Sequence, residues 1–475
     1  MRSAILNLKS FLFSPSSFQS LIPYSNDIWK MDEYTAQIDQ IIPFLIENRD
    51  LLESHVTAAF VTDYFSRVPQ EWIEYLHQFS YSQLIEISSI LNQIQLAGLY
   101  NYISSAVNLS PHYPLYTQSF DVSVIEKYGM NPKKMHEVPR LAHYISGKAE
   151  QLGLKKAIDI GAGQGYLSHF LVTKAKLKVT AIEAKEHNSH ESERRGKLIC
   201  QRLKTDGEFE NISLFVTADN ISAYTNEPCV LIGLHTCGDL AASCIKLFLG
   251  DPQIKALVNV GCCYNHLTEY ISPEAKQSAD EYLAKIGHSF QGNSLDETLF
   301  AEEEAAGFPL SRYIKEKYPQ FFLGRIPRVL AMSEACRAHI ENPEATFKRF
   351  SYRSAFQILL TESYPQYENI FSVGSRIKSF NNFGDYISKA FNAMGLQNPY
   401  ENVDVNAIYE ERFRSKEKES AIIWSLRSIL SGPIENIIIL DRALYLREHG
   451  AETEIIQIFD KIHSPRNIAL AAFKP

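Results

Sequence analysis

The sequence predicts an α/β fold built on a parallel sheet. Three observations indicate it: short apolar runs alternate with helical segments from Lys155 onwards, a glycine-rich turn follows the first run, and two strand-like runs close the chain. Alternating strands and helices form βαβ units, whose strands lie side by side in one parallel sheet. Five such strands and a terminal hairpin predict a seven-stranded sheet.

Length and composition indicate an ordinary globular protein. The chain has 475 residues, of which 45% are hydrophobic and 21% are charged, and this usage excludes disordered and collagen-like chains. The formal net charge is −8, so no global positive field attracts nucleic acid or an acidic membrane. Seven cysteines, an odd number, are unlike a secreted disulfide framework and indicate a reducing compartment. No continuous apolar run of about 18 residues is present, so no membrane partner is expected.

The chain begins with two segments of different character. Residues 1–30 are rich in serine and poor in acids, and we expect a flexible N-terminal extension. The same composition also fits a mitochondrial transit segment, so a mitochondrial location is the alternative to the expected cytoplasmic one. From 31 to 120 apolar residues recur at helical spacing, as Ile38, Ile41 and Leu45 do, which predicts a helical N-terminal region.

The α/β domain is predicted in two parts. Its first part, 121–269, contains five strand-like runs. These runs are Lys156–Ile160, Lys178–Ile182, Ile212–Val216, Val230–Leu234 and Lys255–Val260. A long, mostly helical insertion follows at 270–430. The segment 431–475 then completes the domain with an amphipathic helix and a hairpin of the strands Glu454–Phe459 and Ile468–Phe473.

The glycine-rich turn after the first strand is the clearest local signal. Gly161, Gly163 and Gly165 permit positive φ angles and the close approach of a ligand to the backbone. A dinucleotide fingerprint would have its third glycine where this chain has Tyr166. The observed G-x-G-x-G spacing is instead typical of S-adenosyl-L-methionine (SAM) sites. An acid just before the turn, Asp159, also suits a cationic cofactor better than a diphosphate, because like charges repel.

Further polar residues follow the next two strands. Glu183 ends the second predicted strand, where a carboxylate can accept hydrogen bonds from both ribose hydroxyls. Asp219 and Asn220 follow the third, within reach of an adenine amino group. Carboxyl ends of parallel strands share one edge of a sheet, so these groups are expected around one ligand. The predicted cofactor-binding residues are Asp159, Gly161, Gly163, Gly165, Glu183, Asp219 and Asn220.

A family resemblance rests on four stretches of the chain. They are Asp159–Gly165, Gly233–Leu240, Val260–Tyr264 and Ser464–Asn467. These stretches resemble the methyltransferase-like protein 25 group of class I SAM-dependent methyltransferases. The resemblance spans about 32–474 and implies a Rossmann-like seven-stranded sheet, a SAM cofactor and methyl transfer to an acceptor.

A more distant resemblance concerns the acceptor. The His-x-Cys-Gly turn that starts at His235, and the paired Cys262 and Cys263, resemble the tRNA 2′-O-methyltransferases that modify the acceptor stem. This resemblance implies RNA as the acceptor ahead of protein. The N-terminal zinc modules of those enzymes are absent, since the first cysteine is Cys200. No Asn-Pro-Pro-Tyr type motif follows strand four, so base-amino methylation is not expected.

Histidine and cysteine residues follow predicted strands four and five. Five side chains are expected to converge there: His235, Cys237, Cys262, Cys263 and His266. Three interpretations stay open, namely core packing, proton transfer from an acceptor, and a metal site whose spacings match no common zinc finger. We expect His235 and Asp239 to be catalytic. Cys237, Cys262 and Cys263 are expected to line the substrate pocket without binding a metal.

Two basic segments are candidates for substrate contact. Lys133, Lys134 and His136 lie on the helix predicted before the first strand and are assigned to the substrate pocket, although a solvated helix face explains them equally well. In the insertion, Lys348 and Arg349 alternate with aromatic residues, which makes this stretch the best local nucleic-acid candidate. Amphipathic packing is the alternative.

Together these features predict a SAM-dependent methyltransferase that works by in-line displacement. The protein then has to position the acceptor and remove its proton. RNA is the expected acceptor, with protein as the alternative. The competing interpretation is a SAM-binding pseudoenzyme that serves as an interaction module.

Overall fold

The helical N-terminal region is present in the structure. A computed structural model describes residues 33–54, 60, 64–203, 208–286, 300–332, 340–367, 377 and 379–474. The predicted extension at 1–30, with the question of a transit segment, lies outside the described residues. Between 33 and 120 the described residues form five α-helices. They are α1 (Glu33–Glu47), α2 (Arg49–Glu53), α3 (Gln70–Leu76), α4 (Tyr81–Ile85) and α5 (Ala97–Asn108).

Seven strands of the described chain form one sheet. They are β1 (Lys156–Ile160), β2 (Lys178–Glu183), β3 (Phe209–Ser213), β4 (Cys229–Thr236), β5 (Ile254–Gly261), β6 (Glu452–Gln457) and β7 (Ile468–Phe473). Their order is β3-β2-β1-β4-β5-β7-β6, with β1 to β5 parallel and β7 antiparallel to both of its neighbours. The strand order reverses between β1 and β4, where sheets of this kind bind ligands. The predicted seven-stranded α/β fold with a terminal hairpin is confirmed.

The third strand lies earlier in the chain than predicted. Ile212–Val216 was the expected run, whereas β3 spans Phe209–Ser213 at one edge of the sheet. Its residues are only partly buried, so no continuous apolar run marks it. As a result Asp219 does not end a strand; it lies in a short helix, α9 (Ala218–Ile221).

Helices cover the sheet and form most of the described parts of 270–430. In chain order they are α6 (Pro132–Gln151), α7 (Tyr166–Phe170), α8 (Glu186–Leu203), α9, α10 (Leu240–Gly250), α11 (Pro273–Ile286), α12 (Arg312–Lys317), α13 (Arg325–Leu330), α14 (Pro343–Ser363), α15 (Phe383–Met394), α16 (Val405–Arg412), α17 (Glu417–Ser428) and α18 (Ser431–Glu448). Helix α6 starts at Pro132, because Asn131 caps it by accepting the Lys134 N–H and Pro132 fills its first position. The domain bounds given above stay a prediction.

Helix α18 joins the N-terminal helices to the sheet. One apolar cluster contains Ile38 of α1, Leu231 of β4 and Leu440 of α18, each of them fully buried. Burying one such side chain contributes about 1.5–3 kcal/mol, so the N-terminal helices are stabilised by the sheet domain through this shared core. The helical stretch Arg414–Glu448 is long and apolar enough to cross a membrane, and its most apolar 18-residue window is wholly buried inside the protein, as a core helix is.

The aromatic residues of α14 belong to the core. Phe347 and Phe350 pack on Trp424, with ring centroids 5.3 and 5.9 Å from it, and Phe347 and Tyr352 are buried. Rings held in this way cannot stack on nucleic-acid bases. This packing favours the amphipathic interpretation of the aromatic residues, whereas nucleic-acid contact by Lys348 and Arg349 stays a prediction.

Candidate active site

The glycine loop leaves open space beside its backbone. Gly161, Gly163 and Gly165 all have positive φ angles, between 58° and 70°. At Gly163 the left-handed backbone favours glycine, and a Cβ built there would meet no atom within 4 Å. The loop therefore presents bare backbone to a ligand at the carboxyl end of β1.

Glu183 reaches the glycine loop from the end of β2. Its Oε2 accepts the Gly163 N–H over 2.9 Å and its Oε1 accepts the Lys185 N–H over 2.8 Å. Each carboxylate oxygen has a second lone pair, so both can still accept a hydroxyl. The open loop and this carboxylate fit the sulfonium nucleoside SAM, and they bring together the predicted residues of the first two strands.

Asp159 lies behind the loop within β1. Its side chain is buried, and Oδ2 accepts the Ser168 hydroxyl of α7 over 2.6 Å. Burial raises the pKa of this carboxyl to about 7, and the neighbouring Glu183 charge acts in the same direction. Asp159 thus ties the first strand to the helix that follows the loop.

The two residues expected to contact the adenine, Asp219 and Asn220, both lie in the short helix α9. Asn220 closes a capping box at the start of α9, where its Oδ1 accepts the Thr217 N–H over 2.8 Å and its Nδ2 donates to the Phe215 carbonyl. Asn220 therefore has a structural role, and its contact with the adenine stays a prediction. Asp219 is exposed in the first turn of the same helix.

His235 departs from the alternation of a regular strand. It has a left-handed φ of 65°, and the pairing of β4 with β5 shifts register between Leu234 and Thr236. Residues two apart in a regular strand would share one face, and the left-handed backbone at His235 means that His235 and Cys237 do not. The imidazole is directed to helix α6, where its Nε2 lies 2.9 Å from Oε1 of Glu137.

Glu137 is the site residue that sequence reasoning missed. Its side chain is buried, its Oε1 also accepts the Ser464 hydroxyl, and Lys133 Nζ lies 3.6 Å away. Burial opposes ionisation, but the hydrogen bonds from His235 and Ser464 and the charge of Lys133 keep the pKa of Glu137 below its usual value. The available signal was an acid one turn after Lys133, on the helix that leads into β1.

Asp239 has a structural contact. Its Oδ1 accepts the Thr268 N–H over 2.8 Å, and a Cβ built on Gly307 would come within 2.1 Å of the same oxygen. Burial raises the pKa of this carboxyl. Asp239 therefore holds the segments that follow β5 against the start of α10. None of these contacts supports the proton-accepting role that was expected of Asp239.

Three of the five side chains expected to converge do so. The Sγ atom of Cys237 lies 3.0 Å from that of Cys262 and 3.3 Å from that of Cys263, and the last two are 3.4 Å apart. Among the described residues, neither His235 nor His266 places a ring nitrogen within this group. The sulfur contacts with Cys237 and Cys262 lower the pKa of the Cys263 thiol.

Of the three basic residues assigned to the substrate pocket, two pack on aromatic rings and one lies beside the Glu137–His235 pair. Lys134 packs its ammonium 3.8 Å from the centroid of the Tyr166 ring, and burial lowers its pKa. The ring of His136 stacks on His463 at 4.7 Å, and its Nε2 accepts the Asp460 N–H. Lys133 remains beside the Glu137–His235 pair with 44% of its side chain exposed.

Comparison with known proteins agrees with this geometry. Residues 133–270 match the family model described as a methyltransferase domain. The chain carries a methyltransferase domain. It is 24% identical over 476 residues to the probable methyltransferase-like protein 25 of Homo sapiens, covering 73% of this chain and 75% of that protein. The Mus musculus protein of the same name is 23% identical over 474 residues, with the same coverage.

Solved structures of methyltransferases are more distant. The plantazolicin methyltransferase BpumL in complex with SAH is 15% identical, with a TM-score of 0.21 over 46% of this chain and 67% of that chain. The related BamL complex has 13% identity and the same TM-score over 44% of this chain and 64% of its own.

The methyltransferase domain confirms several predictions. The resemblance to methyltransferase-like protein 25 is confirmed, as are the class I fold, the enzyme class of SAM-dependent methyltransferases and the cofactor SAM.

Proposed function

We propose that the methyltransferase domain methylates a hydroxyl group of RNA and that His235 is its general base. The observation that carries this proposal is the Glu137–His235 pair at the carboxyl end of β4. That edge of the sheet also holds the glycine loop of β1, the neighbour of β4. A base at this position stands next to the predicted cofactor site.

The cofactor site is formed by the loop after β1 and the end of β2. When bound, SAM supplies a methyl group on a positively charged sulfur. The backbone of Gly161–Gly165 lines the site, and Glu183 offers acceptor oxygens to hydroxyls. The open side of Gly163 leaves room for the ligand to approach the chain.

The hydrogen bond to Glu137 determines which nitrogen of His235 acts as the base. An ionised carboxylate only accepts, so Nε2 must carry the hydrogen and Nδ1 is the basic nitrogen of the neutral ring. No described residue donates to or accepts from Nδ1 by a hydrogen bond, and 27% of the side chain is exposed. When Nδ1 takes a proton from an acceptor, the charge on the ring is stabilised by Glu137.

The surroundings of the pair support a nucleic-acid acceptor ahead of protein. Lys133 offers an exposed cation beside Glu137. Ser464, which donates to Glu137, is preceded by His463, whose exposed ring stacks on His136. Cations and exposed flat rings beside a base suit unpaired RNA, whose ribose hydroxyl needs a base to lose its proton. With a net charge of −8, such contacts have to be local.

A transfer assay with fractionated substrates tests the proposal. The purified chain is incubated with methyl-labelled SAM and with RNA or protein from cells that lack the gene. We expect label in RNA that ribonuclease releases, and a loss of about 10²–10⁴-fold for His235→Ala with SAM binding retained. His112→Ala, an exposed histidine elsewhere, serves as the control variant and should retain full transfer.

Other outcomes would contradict the proposal. Label released by protease instead of ribonuclease would identify a protein acceptor. Tight SAM binding without transfer to either fraction would favour the pseudoenzyme interpretation. Equal transfer rates for His235→Ala and the unchanged chain would show that His235 is not the general base.

A further inference from the structure

Three cysteine thiols lie together beyond the carboxyl ends of two neighbouring strands. Cys237 follows β4, and Cys262 and Cys263 follow β5; we call them the thiol cluster. Their Sγ atoms are 3.0, 3.3 and 3.4 Å apart. We propose that the thiol cluster binds one Zn²⁺ ion through its three sulfurs. The sequence pattern alone favoured no metal at these cysteines, whereas the close approach of the three sulfurs in the structure favours a metal site.

The backbone holds the two cysteine-bearing segments against each other. Gly238 has a φ of 57°, and a Cβ built on it would come within 2.6 Å of the His266 carbonyl oxygen. The Cys262 N–H donates to the Thr236 carbonyl over 3.3 Å, which continues the pairing of β4 with β5. Only glycine allows this close approach, so the sulfurs are brought together by the chain itself and not by mobile side chains.

Two guanidinium groups flank the thiol cluster. Arg442 is buried, and a Cβ built on Gly261 would lie 2.7 Å from its Nη1, which places the guanidinium beside the residue before Cys262. Its Nε has no hydrogen-bond partner among the described residues. Arg442 and Arg466 lie 5.8 and 5.4 Å from the centroid of the Tyr264 ring, which follows Cys263.

This charge arrangement suits an anionic metal complex. Three thiolates and one Zn²⁺ carry a net charge of −1, whereas three thiols carry none. A buried guanidinium is costly beside neutral groups and favourable beside an anion. Arg466 is already paired with Glu435, whose Oε1 lies 3.0 Å from its Nη1. The charge that favours an anionic complex is therefore that of Arg442, which is buried and has no ion-pair partner among the described residues.

Zinc is the ion that the donor set favours. Thiolates are soft ligands, and Zn²⁺ binds them at about 2.3 Å in tetrahedral geometry, which separates the sulfurs by about 3.8 Å. The sulfur separations therefore have to widen by about 0.4–0.8 Å, which side-chain rotation supplies. No histidine or carboxylate of the described residues joins the group. The fourth position is left open, on a site whose Cys237 is exposed.

Metal analysis of the full chain tests this proposal without reference to methyl transfer. The reduced protein is stripped with a chelator, loaded with Zn²⁺, freed of excess metal and analysed by mass spectrometry of the metal. We expect one zinc per chain, and below about 0.1 for Cys237→Ser and Cys263→Ser. Cys229→Ala and Cys244→Ala each remove a buried thiol outside the thiol cluster and should keep one zinc.

Two further measurements keep loss of zinc distinct from loss of the fold. SAM binding by calorimetry should be the same for Cys237→Ser as for the unchanged chain, since Cys237 is exposed. Cobalt loaded in place of zinc should produce a sulfur-to-metal charge-transfer absorption that Cys237→Ser lacks. The proposal is overturned by a SAM-binding chain that takes up no zinc, by zinc loss in the Cys244→Ala control, or by a cobalt complex without thiolate absorption.

Discussion

The imidazole of His235 donates from Nε2 to Oε1 of Glu137 over 2.9 Å, and this bond joins the end of strand β4 to helix α6. The two residues are 98 positions apart in the chain. Because Glu137 is ionised and buried, it orients the ring and leaves Nδ1 free to accept a proton. The catalytic proposal for this methyltransferase domain depends on that orientation.

Replacing Glu137 by glutamine should slow methyl transfer and leave SAM affinity unchanged. Glutamine keeps the size of the side chain but cannot stabilise a protonated imidazole by charge. We expect a loss of about 10- to 100-fold, part of the 10²–10⁴ that a general base contributes. Single-turnover rates measure it, with Glu150→Gln, an exposed residue at the end of the same helix, as the control. Equal rates for Glu137→Gln and the control would show that Glu137 has no part in catalysis.

Gly163→Ala should weaken SAM binding. The new methyl group occupies the open side of the loop, and a non-glycine residue in the left-handed region costs about 1–2 kcal/mol. Gly153→Ala is a matched control, since Gly153 also has a positive φ and a Cβ there also meets open space, but it lies outside the loop. Ligand at 100 times Kd raises the stability of the unchanged chain by about 2.7 kcal/mol. A SAM-induced rise in melting temperature that Gly163→Ala retains in full would contradict the assigned site.

Asp159 should make the free protein less stable as the pH rises from about 4 towards 7. Its pKa is about 7 in the fold against 3.8 in the unfolded chain, so between these values the folded state holds a proton that the unfolded state has lost. Stability therefore falls with pH across this window, by an amount on the order of 4 kcal/mol. Asp159→Asn should flatten the slope in denaturant unfolding, while Asp121→Asn, an exposed acid, should not. Parallel pH profiles for Asp159→Asn and the unchanged chain would refute the assignment.

Removal of residues 1–30 should leave folding and SAM binding intact, because the family resemblance begins near residue 32. Thermal melts of the truncated chain with and without SAM measure this. A reporter fused to the segment decides the location: we expect it to remain in the cytoplasm, and its delivery to mitochondria would identify a transit segment instead. Insoluble truncated protein would contradict the assignment of 1–30 as an extension.

Local patterns in the sequence were sufficient for the sheet and for the glycine loop. A short apolar run followed by G-x-G-x-G predicts a buried strand and a left-handed turn from local sequence alone. Strand β1 has the predicted bounds, and the three glycines have positive φ angles. Glu183 was predicted at the cofactor site because it ends β2, and parallel strands bring their carboxyl ends to one edge. Strand β3 was misplaced, since a half-exposed edge strand has no continuous apolar run.

The Glu137–His235 pair and the thiol cluster were decided by tertiary structure. A left-handed φ at His235 breaks the alternation of strand β4, and the residue type does not predict this backbone conformation. Glu137 is paired with it only because α6 packs beside the end of β4. The three thiols approach within 3.0–3.4 Å because Gly238 lets two loops touch. Periodicity and glycine spacing are local properties that a sequence contains, whereas the distance between side chains on separate elements depends on how those elements pack.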